Sequence, residues 1–326
     1  MINNSTLETI YEKVKTPYKY GVIKSSAEYR YDSPVVFKHN GKYYMTYVEI
    51  DAKCTGGYRT RLAVSDDLVH YNDIGYILTE HNGWDSVQTG GYAQFIDNVF
   101  GGSNEILCIN GKYTFAFLGG NKKGYETDPL SMGLAHCTEI ESKASYKKVA
   151  APILSGLDKD ARRGETLTIY KGDMFIDEQE TLGYRYVCAY NAKDESQRES
   201  IFLAVSSDAI NWKRYGDNAI IPVCNCDESI RINGDPQVVR IDGLYVMLYF
   251  VVDSVKGAYN TFAVSEDLLH WAKWQGKPLM ESSECYDNVY AHKQWVMKEN
   301  GIVYQYYCAV NDKNERTIAL AASCEL

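Results

Sequence analysis

The residues best suited to chemistry in this sequence are three carboxylates that stand just before apolar stretches, Asp32, Glu165 and Asp235. Two carboxylates flanking a glycosidic bond can divide its cleavage between them, because one activates water or attacks the sugar carbon while the other protonates the leaving oxygen. A third can hold the donor's proton by its negative charge or fix the orientation of the sugar. These side chains predict acid and base chemistry on a carbohydrate, provided that the fold brings them together.

Other polar side chains occupy similar positions, seven to nine residues before a glycine that follows the same kind of stretch. They are Asn104, Arg163, His292 and Lys293. Each sugar hydroxyl that leaves water needs a new hydrogen-bond partner, so polar groups at the ends of apolar strands are typical of a sugar site. We predict that His292 is a further catalytic candidate, and that Asn104, Arg163 and Lys293 bind substrate.

Structural roles compete with these functional interpretations. Trp84 and Trp295 could stack on a sugar ring, although aromatic side chains more often pack in a core. Glu165 could pair with a neighbouring arginine, and His292 could be a hydrogen-bonded core histidine. The two aspartates could simply form turns. We predict substrate contacts for both tryptophans.

A repeated hairpin pattern supplies the elements that would position these residues. Its markers are the glycines Gly41, Gly111, Gly172, Gly243 and Gly301, each between two apolar or aromatic stretches. Asn-Gly or Asp-Gly between such stretches is the strongest short-range hairpin signal. A short motif of hydroxyl, acidic, aliphatic and aromatic residues, in that order, also recurs at 65–71, 206–212 and 265–271. The spacing of roughly 60 to 70 residues fits four short strands with their loops, which is one propeller blade.

The sequence therefore predicts an all-β fold, a single five-bladed β-propeller over residues 1–326 with blades of about four antiparallel strands. The fifth unit ends at Thr317–Ser323, which is only its third strand. The stretch Tyr18–Ile23 is available as the fourth strand, and its pairing there would join the two ends of the chain and remove an exposed edge. The starts of the first strands would then converge on one pocket.

The predicted site is not symmetric. Asp32 lies nine residues before Gly41, whereas Asp235 lies eight residues before Gly243, so the two aspartates are out of register by one residue. A slip of one residue along a strand turns a side chain to the other face. Asp32 and His292 share the same offset.

Composition excludes several classes of partner. The chain has 326 residues and a net charge of −9, which argues against general affinity for nucleic acid or an anionic membrane. No basic leader and no run of about 18 apolar residues is present, so we expect no membrane span and a cytoplasmic location. The cysteine count of nine is odd and fits reduced thiols. The pair Cys224 and Cys226 lacks a second close pair, so we predict no metal site there.

Three features together resemble the five-bladed propeller glycoside hydrolases of families 32, 43, 62, 68, 117 and 130. They are Tyr31-Asp32-Ser33-Pro34, Gly234-Asp235-Pro236-Gln237 and the motif at 265–271. The sequence looks most like family 43, which implies Asp32 as general base and Glu165 as acid. The tuning aspartate of that pattern comes from the second blade, whereas Asp235 falls in the fourth. His292 is instead similar to the histidine implicated as acid in family 117, so the proton donor is open between Glu165 and His292.

The resemblance implies cleavage of a small oligosaccharide or glycoside by direct displacement with water, and hence inversion. It implies a carbohydrate substrate and no required cofactor, with a possible structural calcium beside His292. One alternative is a phosphorylase of the family 130 kind, for which Arg163, Arg231, His292 and Lys293 could bind phosphate. Another is a carbohydrate-binding propeller without activity. The sequence does not define the oligomeric state.

Overall fold

A computed structural model describes residues 2–79, 83–223 and 229–326 of the protein. The prediction about Cys224 and Cys226 falls outside the described residues. Helix α1, Asn4–Val14, begins after Asn3, whose side chain accepts a hydrogen bond from the backbone N–H of Thr6. Short 3-10 turns occupy Gly83–Asp85 and Lys143–Ser145. No helix in the described ranges is both long and apolar enough to cross a bilayer.

Strands account for most of the regular structure, in agreement with the predicted all-β class. In chain order they are β1 Tyr18–Lys24, β2 Tyr29–His39, β3 Lys42–Asp51, β4 Arg59–Ser65, β5 Asn72–Ile77, β6 Gln88–Ala93, β7 Tyr113–Gly120, β8 Ser131–Cys137, β9 Lys147–Lys148, β10 Leu154–Ser155, β11 Thr168–Ile176, β12 Tyr186–Lys193, β13 Glu199–Ser206, β14 Lys213–Tyr215, β15 Ile230–Ile241, β16 Leu244–Asp253, β17 Gly257–Ser265, β18 Ala272–Lys273, β19 Met280–Glu281, β20 Tyr290–Glu299, β21 Ile302–Val310 and β22 Arg316–Ala322.

Strands that are neighbours in sequence pair with one another in antiparallel groups. Strands β2 to β5 form one sheet, and β6 to β8 form a second with β9 and β10 at its edge. The remaining strands belong to one larger sheet, in which the parallel bridges Glu199↔Ile232 and Ala258↔Tyr290 join three antiparallel groups. Aromatic side chains pack between the first two sheets. Phe37 and Phe115, for example, meet edge to face with their ring centroids 6.4 Å apart. Helix α1 covers the larger sheet with its apolar face.

Four of the five predicted hairpin turns are present. In the first, Asn40 and Gly41 have φ angles of 49° and 76°, the pair of positive angles that a type I′ turn requires. The same pattern is found at 110–111, 242–243 and 300–301. Gly172 is the exception, because it lies inside β11 rather than in a turn. A Cβ at Gly172 would lie 2.8 Å from Cys188 Sγ, so this glycine permits close packing of strands.

The second group departs from the predicted layout. Its first strand is β6, and the residues before Gly111 that were expected to form that strand belong to an irregular segment, 94–109. This segment crosses the ends of three other strands through backbone hydrogen bonds. Lys38 N–H donates to Asn104, Phe95 N–H to Met174, and Arg240 N–H to Asn98. Asn104 is therefore carried to a different part of the molecule from the predicted strand start.

A β-bulge recurs in the first strands of four groups, β2, β11, β15 and β20, which we call the bulged strands. In each of them two residues are unpaired, between Asp32 and Val35, Ile169 and Gly172, Gly234 and Gln237, and His292 and Trp295. Asp32 and His292 thus occupy equivalent positions, whereas Asp235 lies one residue later, inside the bulge. The predicted register difference between Asp32 and Asp235 is confirmed.

The N-terminal and C-terminal strands meet in one antiparallel pair, as predicted. Strand β1 pairs with β22 from Tyr18↔Ala322 to Lys24↔Ile318. Lys19 Nζ lies 2.6 Å from Asp287 Oδ2, whose side chain is fully buried, and Tyr307 OH donates to the same oxygen at 2.9 Å. The N-terminal strand is therefore fixed by an ion pair as well as by backbone hydrogen bonds.

Replacing Lys19 with methionine is expected to lower the free energy of unfolding by about 3 kcal/mol, because it leaves the buried carboxylate of Asp287 without its cation. Urea unfolding of both proteins would measure the difference. Lys13→Met is the control, since Lys13 and Asp242 form an exposed pair whose loss should change stability by less than about 1 kcal/mol. A loss for Lys19→Met no larger than that of the control would contradict the assignment.

Candidate active site

A cavity of about 170 Å³ lies beside the bulges. The residues that line it are Tyr125, Glu126, Tyr170, Asn191, Glu199, Ile232, Asp235, Phe250, Val252, Tyr290, His292, Lys293 and Arg316. A larger cleft of about 640 Å³ lies between the start of β1 and the residues that follow β22. The smaller cavity is the candidate active site, because buried ionisable groups from distant parts of the sequence converge on it.

The bulges of β15 and β20 bring Asp235 and Lys293 to the wall of this pocket. Ser33, Asp235 and Lys293 are equivalent bulge residues, and their φ angles of 44°, 46° and 54° are uncommon for side chains other than glycine. Ser33 Oγ donates to Asp235 Oδ2 at 3.0 Å, so two bulged strands contact each other directly. Backbone strain held by the surrounding structure is a frequent property of functional sites.

Asp32 lies immediately behind Lys293 and is surrounded by donors. Its Oδ2 accepts hydrogen bonds from Tyr125 OH at 2.5 Å, Lys293 Nζ at 3.0 Å and Arg316 Nη1 at 3.3 Å. Burial opposes ionisation, but the charges of Lys293 and Arg316 outweigh it and hold the pKa of Asp32 well below its usual range. A carboxylate so stabilised is a weak base, and it orients the two cations and Tyr125.

Glu126 brings a carboxylate into the pocket from the loop between β7 and β8. Its Oε1 lies 2.6 Å from Lys293 Nζ, and its side chain is 23% exposed, so it forms an ion pair at the cavity wall and reaches solvent. Its φ of 47° directs the loop backbone through a conformation uncommon for glutamate. Glu126 was not predicted, because it lies in a loop rather than at the start of a strand.

Glu199, the first residue of β13, provides a second carboxyl group of different character. It is buried, and Asn191 Nδ2 donates to its Oε2 at 2.8 Å. Burial, reinforced by the negative charge of Glu126, raises the pKa of Glu199 to about 8. A pKa of about 8 keeps the proton on Glu199 at neutral pH, so a carboxyl group that can donate shares the pocket with the ion-paired carboxylate of Glu126 and with Asp235.

His292 is a neutral side chain of the pocket wall. Its Nδ1 lies 3.2 Å from the carbonyl oxygen of Cys308, so Nδ1 carries the hydrogen and Nε2 is the acceptor. Burial and the charge of Arg316 lower its pKa to about 3. The imidazole is therefore poorly suited to the role of proton donor that the resemblance to family 117 implied.

The expected calcium site does not fit these residues. Asp32, His292 and Cys308 place ligand atoms within 4.8 Å of one another. Calcium takes six to eight oxygen ligands, whereas this group offers one carboxylate together with an imidazole and a thiol. That carboxylate already accepts from two cations, whose charges would repel a third. These residues are therefore assigned to hydrogen bonding rather than to metal binding.

The structure does not bring Glu165 and Arg163 to this pocket. Glu165 is buried elsewhere, where Arg162 Nη2 lies 3.0 Å and Tyr190 OH 2.8 Å from its Oε2, and Arg214 contacts its other oxygen. Arg163 is exposed to solvent. The offset that suggested both residues was counted from Gly172, which is not a turn glycine, and Glu165 precedes β11 altogether.

Three further predicted contacts also lie outside the pocket lining. Trp84 stacks on Phe117 with ring centroids 5.4 Å apart and is half-buried. Asn104 donates to the backbone carbonyl of Lys298 at 2.9 Å, and Trp295 donates to that of Val36 at 2.7 Å. These side chains are used in packing, so the structural alternatives considered for the tryptophans agree with the geometry.

The protein is similar to solved structures over its full length. None of the protein-family models matches it, and neither does any curated protein. The structure of a BT0996 complex with RGII has 37% sequence identity and a TM-score of 0.94, and the match covers 100% of the present sequence and 97% of the other. Another structure, described as a glycoside hydrolase, has 36% identity and a TM-score of 0.94, with the same coverage.

More distant structures share the fold alone. An alpha-L-arabinofuranosidase from Lactobacillus brevis has 14% identity and a TM-score of 0.66, and the match covers 94% of the present sequence and 92% of the other. A thermostable family-43 glycoside hydrolase has 17% identity and a TM-score of 0.65, with coverage of 94% and 91%. The predicted all-β class and the resemblance to glycoside hydrolases are therefore confirmed.

Proposed function

Because this chain belongs to the glycoside hydrolases, we propose that it cleaves a glycosidic bond in the pocket between Glu199 and Glu126. The observation that carries the proposal is the contrast between these two groups. Glu199 is buried and bears a proton at neutral pH, whereas Glu126 is an ion-paired carboxylate at the cavity wall. Two carboxyl groups in opposite protonation states are what acid and base catalysis of glycoside hydrolysis requires.

Glu199 acts as the general acid. It transfers its proton to the glycosidic oxygen while the bond from that oxygen to the anomeric carbon breaks. Glu126 acts as the general base and takes a proton from the water that attacks the same carbon. The products are a free sugar and an alcohol. Glu126 then releases the proton it took from water to solvent, and Glu199 takes one up from solvent, so both groups return to their starting states. Direct displacement of this kind inverts the anomeric configuration.

The surrounding groups position the reactants. Lys293 joins Glu126 to Asp32, and Arg316 contacts the same oxygen of Asp32 as Lys293 does. Asp235, together with Nε2 of His292, offers acceptors for sugar hydroxyls. We assign Asp32 to orientation rather than to the base role, since its lone pairs are already engaged by three donors.

The cavity sets the size of the substrate. An engineered apolar cavity of about 150 Å³ holds one benzene ring, so a volume of about 170 Å³ suits one sugar ring. We propose that the protein removes a single terminal sugar from an oligosaccharide. RGII, which is named in the BT0996 complex, is the first material to test.

The finer description of the fold is also a proposal. The antiparallel groups that begin with β2, β6, β11, β15 and β20 would be five blades of one propeller, and the β1 and β22 pair would complete its last blade. Convergence of the bulged strands on one pocket supports this arrangement, since the first strands of all blades surround a common axis. A single domain over 1–326 follows from it.

Phosphorolysis receives no support from the pocket. Of the four candidate phosphate ligands, Arg163 and Arg231 are exposed, and His292 is neutral. Lys293 is already paired with Asp32 and Glu126. We therefore propose water as the acceptor rather than phosphate.

Hydrolysis is tested with the purified protein and a panel of aryl glycosides of arabinose, xylose, galactose and fructose, each with and without inorganic phosphate. We expect one glycoside to be cleaved without phosphate, and proton NMR to show the inverted anomer first. Cleavage only with phosphate would replace the proposal with phosphorolysis. Retention of configuration would instead make Glu126 a nucleophile.

The pH profile follows from the pKa of Glu199. Because the acid must carry its proton, we expect kcat/KM to fall above about pH 8, tenfold per pH unit, as the group with a pKa of about 8 ionises. Initial rates between pH 5 and 10 measure this limb. The residual activity of Glu199→Gln should lack it, because glutamine does not titrate. An alkaline limb retained in that variant would assign the titration to another group.

A further inference from the structure

Lys171 is a buried lysine that the proposed mechanism does not use. It lies in the bulge of β11, and its Nζ has no hydrogen-bond partner among the described residues. The ammonium lies over two aromatic rings, 5.2 Å from the centroid of Tyr92 and 5.6 Å from that of Trp295. Removing a lysine charge from water is expensive unless an anion compensates it, so such a group needs a reason to be there.

The nearest anion is the carboxylate of Asp235, whose Oδ2 lies 3.9 Å from Lys171 Nζ. Asp235 lines the pocket, whereas Lys171 does not and lies behind it. The carboxylate is already held in place by Ser33 Oγ, which donates to Oδ2, and the backbone of Asp235 is fixed by its N–H, which donates to Asn191 Oδ1 at 3.1 Å. Lys171 therefore adds charge to a carboxylate whose orientation is fixed by other contacts.

The other charged groups around this pair are few. Asp173 lies two residues further along the same strand and accepts a hydrogen bond from Val238 N–H at 2.6 Å. Burial raises the pKa of Asp173 to about 7, so near neutrality it offers only part of a negative charge. On the pocket side, Lys293 supplies a second cation, and Asp32 and Glu126 are engaged by it. Asp235 is thus the anion that most requires Lys171.

We propose that Lys171 is a positioning residue of the active site, whose ammonium holds Asp235 as a carboxylate so that it can accept hydrogen bonds from sugar hydroxyls. This inference rests on the proposed function of the pocket. It gives two buried carboxyl groups of one small cavity different tasks, since Glu199 donates and Asp235 accepts.

Burial raises the pKa of Asp235, and the charge of Lys171 lowers it. Without Lys171 the pKa of Asp235 rises further, and the group becomes a neutral acid over a wider range of pH. A neutral carboxyl is a weaker acceptor, so affinity for the sugar falls at low pH and recovers as pH rises through the new pKa.

The test follows the titration of Asp235 in protein labelled with carbon-13 at the aspartate carboxyl, with the resonance assigned by its loss in Asp235→Asn. In Lys171→Met the midpoint should rise by at least about one pH unit, which is a tenfold change in proton affinity. In Lys171→Arg, which keeps the charge, it should stay near the wild-type value. An unchanged or lower midpoint in Lys171→Met overturns the inference.

Two further measurements keep the test decisive. If Lys171→Met does not fold, the labelled Nζ of Lys171 is titrated instead in wild type and in Asp235→Asn, where its pKa should fall by at least about one unit if the pair is coupled, and no fall refutes the coupling. For whichever aryl glycoside the wild type cleaves, Lys171→Met should raise KM about tenfold at pH 6 and less at pH 8, with a smaller change in kcat. The NMR titrations need no turnover, so they remain informative even if hydrolysis is not found.

Discussion

Replacement of Glu199 with glutamine is expected to lower kcat/KM about 1,000-fold for a glycoside with an alkyl leaving group, within the range that a general acid contributes. Glutamine keeps the shape of the side chain and can still contact Asn191 Nδ2, which donates to Glu199 in the wild type. What it lacks is the proton that burial retains on Glu199. Steady-state kinetics of both proteins on the same glycoside measure the loss.

The leaving group provides an internal control for this assignment. Dinitrophenolate leaves from its glycoside without protonation by an acid. On that substrate kcat/KM of Glu199→Gln should therefore fall by about tenfold or less. Glu165→Gln is the matched variant outside the pocket, and its folded fraction should retain kcat/KM within a few-fold. Equal losses on both kinds of leaving group would show that Glu199 is not the proton donor.

Replacement of Glu126 with alanine is expected to reduce kcat/KM by about 1,000-fold or more on every glycoside, because the attacking water loses its base regardless of the leaving group. Added azide, which needs no base, should restore part of the rate with an activated aryl glycoside and yield a glycosyl azide. The configuration of that azide, read by proton NMR, reports the face from which the anomeric carbon is attacked.

Glu299→Gln serves as the comparison for Glu126. Glu299 is also paired with a lysine, since Lys38 Nζ lies 2.7 Å from its Oε1, but it lies outside the pocket. Its replacement should leave kcat/KM nearly unchanged, and added azide should not alter the rate of that variant. A loss at Glu299 as large as that at Glu126 would mean that breaking such an ion pair disturbs the whole molecule, and the base assignment would fail.

The predicted residues that lie near one another in the structure belong to elements whose geometry is dictated locally. An Asn-Gly or Asp-Gly turn fixes where a hairpin begins, so counting back from Gly41, Gly243 and Gly301 places Asp32, Asp235 and His292 near one another. Counting back from Gly172 gave wrong positions, because Gly172 is not in a turn. In sequence, a glycine that allows close packing cannot be distinguished from one that allows a turn.

Glu199 and Glu126, which we propose as acid and base, were missed for different physical reasons. Glu199 begins the third strand of its group, and antiparallel pairing returns the third strand to the end where the first begins. Arg316, which also lines the pocket, begins β22 in the same way. The starts of third strands were therefore a readable signal. Glu126 is different, because the path of its loop depends on contacts such as Gly124 N–H with the carbonyl of Gly56.

The pairing of β1 with β22 has a consequence for biosynthesis. Strand β1 is synthesised early but has no pairing partner until β22 has been made. Contacts of such long sequence separation make folding slow. Arg316 belongs to β22 and contacts Asp32, which is synthesised early. A nascent polypeptide therefore cannot complete the candidate active site until translation has passed the hairpin of β21 and β22. Until then the edge of β21 that β22 will cover is exposed, and an exposed strand edge can pair with another chain.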